Sequence, residues 1–285
     1  MPAPAQKCPR RRHRLGAAAL CLAAATGCPQ KNSDGPKPPP LPVEAEDLVV
    51  EMVAAYPHDT RAFTQGLLFY EGELYESTGM VGQSSLRRVE PESGRVKAQI
   101  ALEPPLFAEG LARVGDRLIQ LTWRNQRAFV WKMGTFEKIG EHTYEGEGWG
   151  LCHDGKRLVM SDGSARLTFR DPRSFAVIGG VEVLRDGRPV RFLNELECVG
   201  DAVFANIWES DFIARIDPQS GAVTAWIDAS GLLRPDERRG TDVLNGIAHV
   251  PERDTFFITG KYWPRLFEVR FVPRKSPAAD VQGVQ

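Results

Sequence analysis

The sequence predicts an all-β chain closed into a ring, a five-bladed β-propeller with four-stranded antiparallel blades. Two observations carry that reading. First, a short motif recurs five times: Phe63-Thr64-Gln65-Gly66-Leu67, Phe107-Ala108-Glu109-Gly110-Leu111, Glu147-Gly148-Trp149-Gly150-Leu151, Leu193-Asn194-Glu195-Leu196 and Leu244-Asn245-Gly246-Ile247. Each copy leads through a short turn into a second apolar run, so each reads as strand, turn, strand. Second, the copies are evenly spaced. Gly66 to Gly110 is 44 residues, Gly110 to Gly150 is 40, Gly150 to Glu195 is 45 and Glu195 to Gly246 is 51. A strand-built repeat of roughly 40–50 residues is the period of a propeller blade.

Composition agrees with one closed domain and removes several functions. The 285 residues are 42% hydrophobic, and 36 basic residues balance 37 acidic ones to a net charge of -1. That balance leaves no footprint for nucleic acid and no polybasic membrane patch. No run of about 20 apolar residues occurs, so no transmembrane helix is expected.

In chain order, residues 1–27 read as a targeting segment. Arg10, Arg11, Arg12 and Arg14 precede the apolar run Leu15 to Ala25, and Thr26-Gly27-Cys28 follows as a small-residue cleavage site. The pattern resembles a bacterial lipoprotein signal in which Cys28 is lipidated. Ala25 stands where leucine is usual, and an ordinary secretory signal is the other reading. Either one takes the mature chain out of the cytoplasm, to the periplasm or cell envelope or to secretion. Residues 28–47, with Gly35-Pro36-Lys37-Pro38-Pro39-Pro40, read as a Pro-rich extended tether. Leu48–Tyr56 reads as a lone strand. The last repeat offers three strands where a blade has four, so Leu48–Tyr56 is expected to pair as its fourth strand and close the ring, removing a sheet edge. The propeller spans 48–272, and 273–285 is a polar tail.

Between the anchor hairpins, Glu90-Pro91-Glu92-Ser93-Gly94, Asp171-Pro172-Arg173-Ser174 and Asp217-Pro218-Gln219-Ser220-Gly221 supply turn chemistry for the outer strands. Leu232–Thr241 is charged and turn-rich, reads as an exposed insertion, and explains the 51-residue interval. Of five cysteines, Cys8 and Cys21 lie in the targeting segment and Cys28 is the lipidation candidate. Cys152 and Cys198 sit at different offsets in consecutive anchor strands. Two separate buried thiols is the plainer reading, and an oxidising compartment also allows a disulfide.

Strand direction locates the chemistry. The two strands of a hairpin run in opposite directions, so the start of each first strand and the end of each second strand share one rim. First-strand starts bring Phe63, Gln65, Glu109, Trp149, Asn194, Glu195 and Asn245. Second-strand ends bring Gly79, Trp123, Gly163, Trp208 and Lys261, with Glu76 slightly inside. A rim that only packed would carry Val, Ile or Leu. This one reads as an aromatic-lined concavity with a few polar groups. Bland roles remain open: the three tryptophans also suit packing between blades, and Glu109, Asn194 and Asn245 also suit backbone satisfaction. Glu76 and Lys261 are harder to place in a core, because a strand-embedded charge is costly unless paired or used. The histidines are scattered, leaving no metal cluster, and neither a Gly-x-Ser-x-Gly elbow nor a Walker loop is present.

The motifs resemble those of the plant and bacterial type of glutaminyl-peptide cyclotransferase. Phe63-Thr64-Gln65-Gly66-Leu67, Leu74-Tyr75-Glu76-Ser77-Thr78-Gly79 and Gly82-Gln83-Ser84-Ser85-Leu86-Arg87 match its opening. Leu121-Thr122-Trp123, Ser161-Asp162-Gly163-Ser164, Leu193-Asn194-Glu195-Leu196-Glu197, Ala205-Asn206-Ile207-Trp208, Leu244-Asn245-Gly246-Ile247-Ala248 and Thr259-Gly260-Lys261 follow in order. The resemblance covers about Tyr56 to Val272 and implies a five-bladed propeller. It implies an acyltransferase that converts the N-terminal glutamine of peptides to pyroglutamate with release of ammonia. It implies Glu76 as the catalytic carboxylate, with Lys261 and Asn194 polarising the carboxamide and stabilising the oxyanion. Phe63, Gln65, Glu109, Trp123, Trp149, Trp208 and Asn245 would bind and orient the substrate. On this reading Glu76→Gln lowers the rate about 100-fold or more with folding unchanged. Plant relatives carry a metal ion in the channel. Nothing here forces one, so no cofactor is required and a structural calcium is allowed. A monomer is expected, touching membrane only through a lipid at Cys28. The competing readings are a calcium-dependent, lactonase-like propeller hydrolase, using Glu109, Asn194, Glu195 and Asn245 as ligands, and a non-catalytic periplasmic binding propeller.

Overall fold

The computed structural model describes residues 44–275, and every described element is a strand. The targeting segment, Cys28 and most of the tether lie outside the described residues. The first strand, β1 (Glu46–Pro57), starts two residues before the expected one. Two four-stranded antiparallel sheets follow: β2 (Thr64–Tyr70), β3 (Glu73–Thr78), β4 (Ser85–Glu90) and β5 (Arg95–Ala101), then β6 (Ala108–Val114), β7 (Arg117–Thr122), β8 (Arg127–Lys132) and β9 (Lys138–Thr143). A third comprises β10 (Leu151–His153), β11 (Leu158–Met160), β12 (Arg166–Arg170) and β13 (Val177–Glu182). A small hairpin, β14 (Leu184–Arg185) with β15 (Arg188–Pro189), was not foreshadowed by the repeats.

The remaining strands form one eight-stranded sheet. β16 (Leu193–Val199), β17 (Ala202–Ile207), β18 (Phe212–Ile216) and β19 (Val223–Asp228) lie on one side of β1, and β22 (Arg265–Pro273), β21 (Thr255–Gly260) and β20 (Leu244–Val250) on the other. β1 runs antiparallel to β22, pairing Leu48 with Pro273 through to Pro57 with Arg265, and a shorter parallel stretch pairs it with β19. The architecture is all-β and propeller-like.

The core is divided into five clusters, each between neighbouring sets of strands. Leu68, Tyr75 and Leu86 meet Leu111, Leu118 and Phe129, and Ile119 and Leu121 meet Leu151 and Leu158. Val159 and Leu167 meet Leu193, Leu196 and Val203, and Phe204 and Ile213 meet Ile247 and Ile258. The fifth joins Ala248, Phe257 and Leu266 to Leu67 and Leu74. Burial between sets of strands, rather than within one, accounts for first strands that are apolar along most of their length, as in β2 and β20.

The recurrent anchor glycine has a geometric cause. A Cβ on Gly66 would stand 2.6 Å from the Leu111 backbone nitrogen, and one on Gly110 would stand 2.5 Å from that of Leu151. Neighbouring first strands approach too closely for any side chain there. The fourth anchor is Glu195, and its carboxylate accepts from Leu67 N–H at 3.2 Å and Ile247 N–H at 2.9 Å. One side chain on β16 thus ties β2 and β20 together.

Two expectations are corrected. Cys152 and Cys198 are joined by a disulfide, their Cα atoms 5.5 Å apart, because β10 and β16 lie side by side and the differing offsets do not separate the side chains. Closing a 46-residue span, the bond stabilises the fold by roughly 4 kcal/mol on a chain-entropy account. The segment Leu232–Thr241 is turn-rich as expected but is not simply exposed. Leu233 is buried in the core, and Glu237 accepts from Arg265 Nε at 2.8 Å.

Candidate active site

A cavity of about 450 Å³ opens at the end where first strands begin and second strands finish. That size suits a small-molecule or side-chain ligand. Eight of the expected residues line it: Phe63, Gln65 and Glu109 from first-strand starts, Trp149 and Asn194 from the third and fourth, and Trp123, Trp208 and Lys261 from second-strand ends. Phe107, Glu209, Asp242 and Val243 complete the lining without having been expected as site residues. Phe107 occupies the same column of the repeat as Phe63, which was a usable signal. Asn245 stands one layer back, and its Nδ2 donates to Gln65 Oε1 at 3.2 Å and to Thr64 O at 2.9 Å.

The polar floor is a short chain of hydrogen bonds. Asn245 holds the Gln65 oxygen, which turns the Gln65 Nε2 toward Glu109 Oε1 at 2.8 Å. Glu109 is 4% exposed. Burial pushes its carboxyl well above the usual range; Lys261 opposes that through its charge and Glu147 adds to it. Lys261 is itself buried, which pushes its ammonium down, against the pull of Glu109 and Asp242. Its Nζ stands 4.7 Å from the centre of the Phe63 ring, a cation–π contact. Asn194 is 2% exposed, and its Oδ1 has no hydrogen-bond partner. A buried acceptor left unpaired in a cavity wall is positioned for a ligand N–H.

The aromatic lining residues belong to two arcs of rings, which Tyr262 and Phe192 extend beyond the cavity. Tyr262, Phe63, Phe107 and Trp123 follow one another at centroid separations of 5.1, 6.0 and 5.6 Å. Trp149, Trp208 and Phe192 follow at 5.6 and 5.7 Å. Glu147 Oε2 accepts from both Trp123 Nε1, at 2.7 Å, and Trp149 Nε1, at 3.0 Å.

Glu76 is not brought to this cavity. It lies in β3 opposite Arg87 of β4 and is enclosed by partners. Its Oε1 accepts from Thr64 Oγ1 at 2.7 Å and from His58 Nε2 at 3.1 Å, and its Oε2 is 3.6 Å from Arg87 Nη1. His58 Nδ1 faces Trp263 O at 2.8 Å. Both ring nitrogens therefore meet acceptors, the arrangement of an imidazolium. Burial pushes the Glu76 carboxyl up, but His58, Arg87 and Thr64 outweigh it and hold the group below the usual range. For His58, burial pushes the imidazole down, and Glu76 and Trp263 O bring it above its usual value.

The described residues contain no group of three or more His, Cys, Asp or Glu side chains placed to hold a metal ion. Glu195, one of the four ligands the hydrolase reading needs, spends both oxygens on backbone N–H groups. No step below is routed through a metal.

The sequence matches the model of a family described as Glutamine cyclotransferase over residues 17–271. A protein of Arabidopsis thaliana named Glutaminyl-peptide cyclotransferase is 42% identical over 226 residues, which are 78% of this chain and 71% of that one. The crystal structure of Myxococcus xanthus glutaminyl cyclase is 44% identical and superposes with a TM-score of 0.74, covering 81% of this chain and 100% of that one.

Proposed function

The chain belongs to the glutamine cyclotransferase family, and from that premise we propose how this cavity closes an N-terminal glutamine into pyroglutamate. The activity is glutaminyl-peptide cyclisation, an acyl transfer within the substrate. The α-amine attacks the side-chain carboxamide carbon, forming the ring C–N bond. The C–N bond to the amide nitrogen then breaks, and one proton passes from the attacking nitrogen to the departing one, which leaves as ammonia.

Glu109 carries that proton. It is the carboxylate of the polar floor, and its raised pKa brings it toward that of an N-terminal amine, where proton transfer in both directions is easiest. Its carboxylate takes the proton from the attacking amine, and the resulting acid returns it to the leaving nitrogen. Gln65, held by Asn245, fixes the carboxylate orientation. Lys261 supplies positive charge for the tetrahedral oxyanion. Asn194 offers its unpaired oxygen to a substrate N–H. Phe63, Trp123, Trp149 and Trp208 confine the glutamine side chain in the folded conformer that ring closure requires. The Gln65–Glu109 hydrogen bond inside an aromatic-walled cavity that also holds Lys261 is the observation that carries this assignment, and it moves the acid–base role from Glu76 to Glu109.

The test is ammonia release from a short peptide with N-terminal glutamine. The parent should turn over, and Glu109→Gln should lose about 10²- to 10⁴-fold in kcat while remaining folded. Folded parent that releases no ammonia would overturn the reading.

The same proposal includes five blades. The five clusters between sets of strands support it, as does the antiparallel pairing of β1 with β22, and on this reading β1 serves as the fourth strand of the last blade. Export is supported by the Arg10–Cys28 pattern and by a disulfide suited to an oxidising compartment. Cys28 lipidation and a monomeric state belong to the proposal as well.

A further inference from the structure

We propose that Glu147 is a positioning residue for cyclisation: it locks the two aromatic arcs into one continuous wall and so holds the cage around the substrate. The inference rests on the cyclisation reading above.

The two arcs come from different stretches of chain. One ends at Trp123, just after β7, and the other begins at Trp149, just before β10. Glu147 Oε2 is the point where they join, taking both indole N–H groups at 2.7 and 3.0 Å. An indole N–H only donates, and a single water would satisfy it at a half-buried rim. A shared carboxylate oxygen does more, because it fixes the angle and separation of the two rings. The other oxygen accepts from Arg124 Nε at 2.8 Å, and the Arg124 guanidinium lies 3.8 Å from the centre of the Trp123 ring. Arg124 thus covers Trp123 and braces the carboxylate that holds it. Backbone geometry joins the same two stretches, since Gly148 N–H donates to Trp123 O at 3.0 Å. Burial raises the Glu147 carboxyl, but the donors from Trp149, Arg124 and Trp123 outweigh it and keep the group ionised.

Glu147 also acts on the catalytic acid. The charges felt by Glu109 are those of Lys261, which favours the carboxylate, and Glu147, which disfavours it. Tyr144 feels Glu109 in turn, and burial keeps its phenol neutral. Removing the Glu147 charge therefore moves the Glu109 ionisation to lower pH. A wall residue with only a packing role would not do that.

Two variants separate the effects. Glu147→Gln removes the charge and leaves one acceptor for two indoles. KM should rise about tenfold, the size of one charge-assisted hydrogen bond, with a smaller change in kcat. The pH limb governed by Glu109 should shift to lower pH, and tryptophan emission should move to the red with easier quenching by acrylamide. Glu147→Asp keeps the charge but withdraws it by one methylene. It should raise KM while leaving the pH limb at the parent position, and it serves as the test if the Gln variant does not fold. A folded Gln variant with the parent's KM, pH limb and emission would overturn the proposal, as would a folded Asp variant with the parent's KM. Should the parent itself turn over no glutaminyl peptide, the reaction assignment fails, and the emission and quenching comparison still decides whether Glu147 pins the two indoles.

Discussion

Glu109 at the cavity floor and Glu76 inside the first sheet are a controlled comparison. Both are carboxylates embedded in strands of the hairpins that bound the site, and they are 4% and 2% exposed. Burial pushes both upward. Yet Glu109 ends well above the ordinary range and Glu76 below it. The difference lies in their partners. Glu76 is enclosed by a hydroxyl, an imidazolium and a guanidinium, all within 3.6 Å. Glu109 accepts one carboxamide N–H and otherwise faces the cavity, with Lys261 acting on it through charge alone. A carboxylate saturated with donors is fixed as an anion and has no proton to exchange. One left short of donors in a cavity wall exchanges a proton readily.

The sharpest way to break the comparison is to neutralise each acid in turn. Glu109→Gln should lower kcat by about 10³-fold with little change in Tm. Glu76→Gln should leave kcat within about tenfold of the parent, because it loses no group that meets the substrate. The double result matters: an equal loss of kcat in both variants would mean that the two sites are coupled and that the division drawn here is false.

Stability should reverse the order. Glu76→Gln leaves His58 and Arg87 buried beside a neutral amide, and removing one partner of a buried ion pair costs about 3 kcal/mol. For a domain of this size that is roughly 6–12 °C in Tm. Glu195→Gln provides a smaller, third case. There both oxygens accept backbone N–H groups, from Leu67 and Ile247. An amide turns one acceptor into a donor facing a donor, and the expected cost is about 1–2 kcal/mol, read as a shift of the urea midpoint at unchanged slope. No shift would show that the link across β2, β16 and β20 contributes nothing.

Much of this was legible in the sequence because the repeat fixes direction. Once Gly66, Gly110, Gly150, Glu195 and Gly246 are aligned, strand polarity alone sends Phe63, Gln65, Trp123, Trp208 and Lys261 to one end, and the cavity collects them there. The choice between Glu76 and Glu109 was not legible in the same way. Each is a charge in an apolar strand, and the deciding partners arrive from elsewhere. His58 lies in the segment before β2 and reaches Glu76 only when Trp263 positions it. Part of the answer was available, since Arg87 pairs directly across from Glu76 in the β3–β4 ladder, and opposite charges on facing strand positions satisfy each other. Glu147 was overlooked because its role depends on two indoles separated by 26 residues, Trp123 and Trp149, pointing at one oxygen. The disulfide was the less favoured of two readings because offset along a strand is a poor guide to distance between two strands lying side by side.

The smallest effect is the most diagnostic of the Glu76 cluster, because its sign can be worked out on both sides. Glu76 is held below its ordinary value of 4.5, so its contribution is present above about pH 4.5 and is lost as pH falls through the lower folded value. His58 is held above its ordinary 6.5, so its contribution is present below about pH 6.5 and is lost as pH rises through the higher folded value. Both are whole only between those limits. The Tm gap between the parent and Glu76→Gln should therefore be widest at about pH 4.5–6.5 and narrow by a few degrees on either side. On the alkaline side the narrowing should be partial, because Arg87 and Thr64 still hold the carboxylate after His58 loses its proton. A gap that stays level from pH 4 to 8 would mean that His58 is neutral in the folded protein. Glu76 would then be held by Arg87 and Thr64 alone, and the contrast with Glu109 would rest on one cation rather than two.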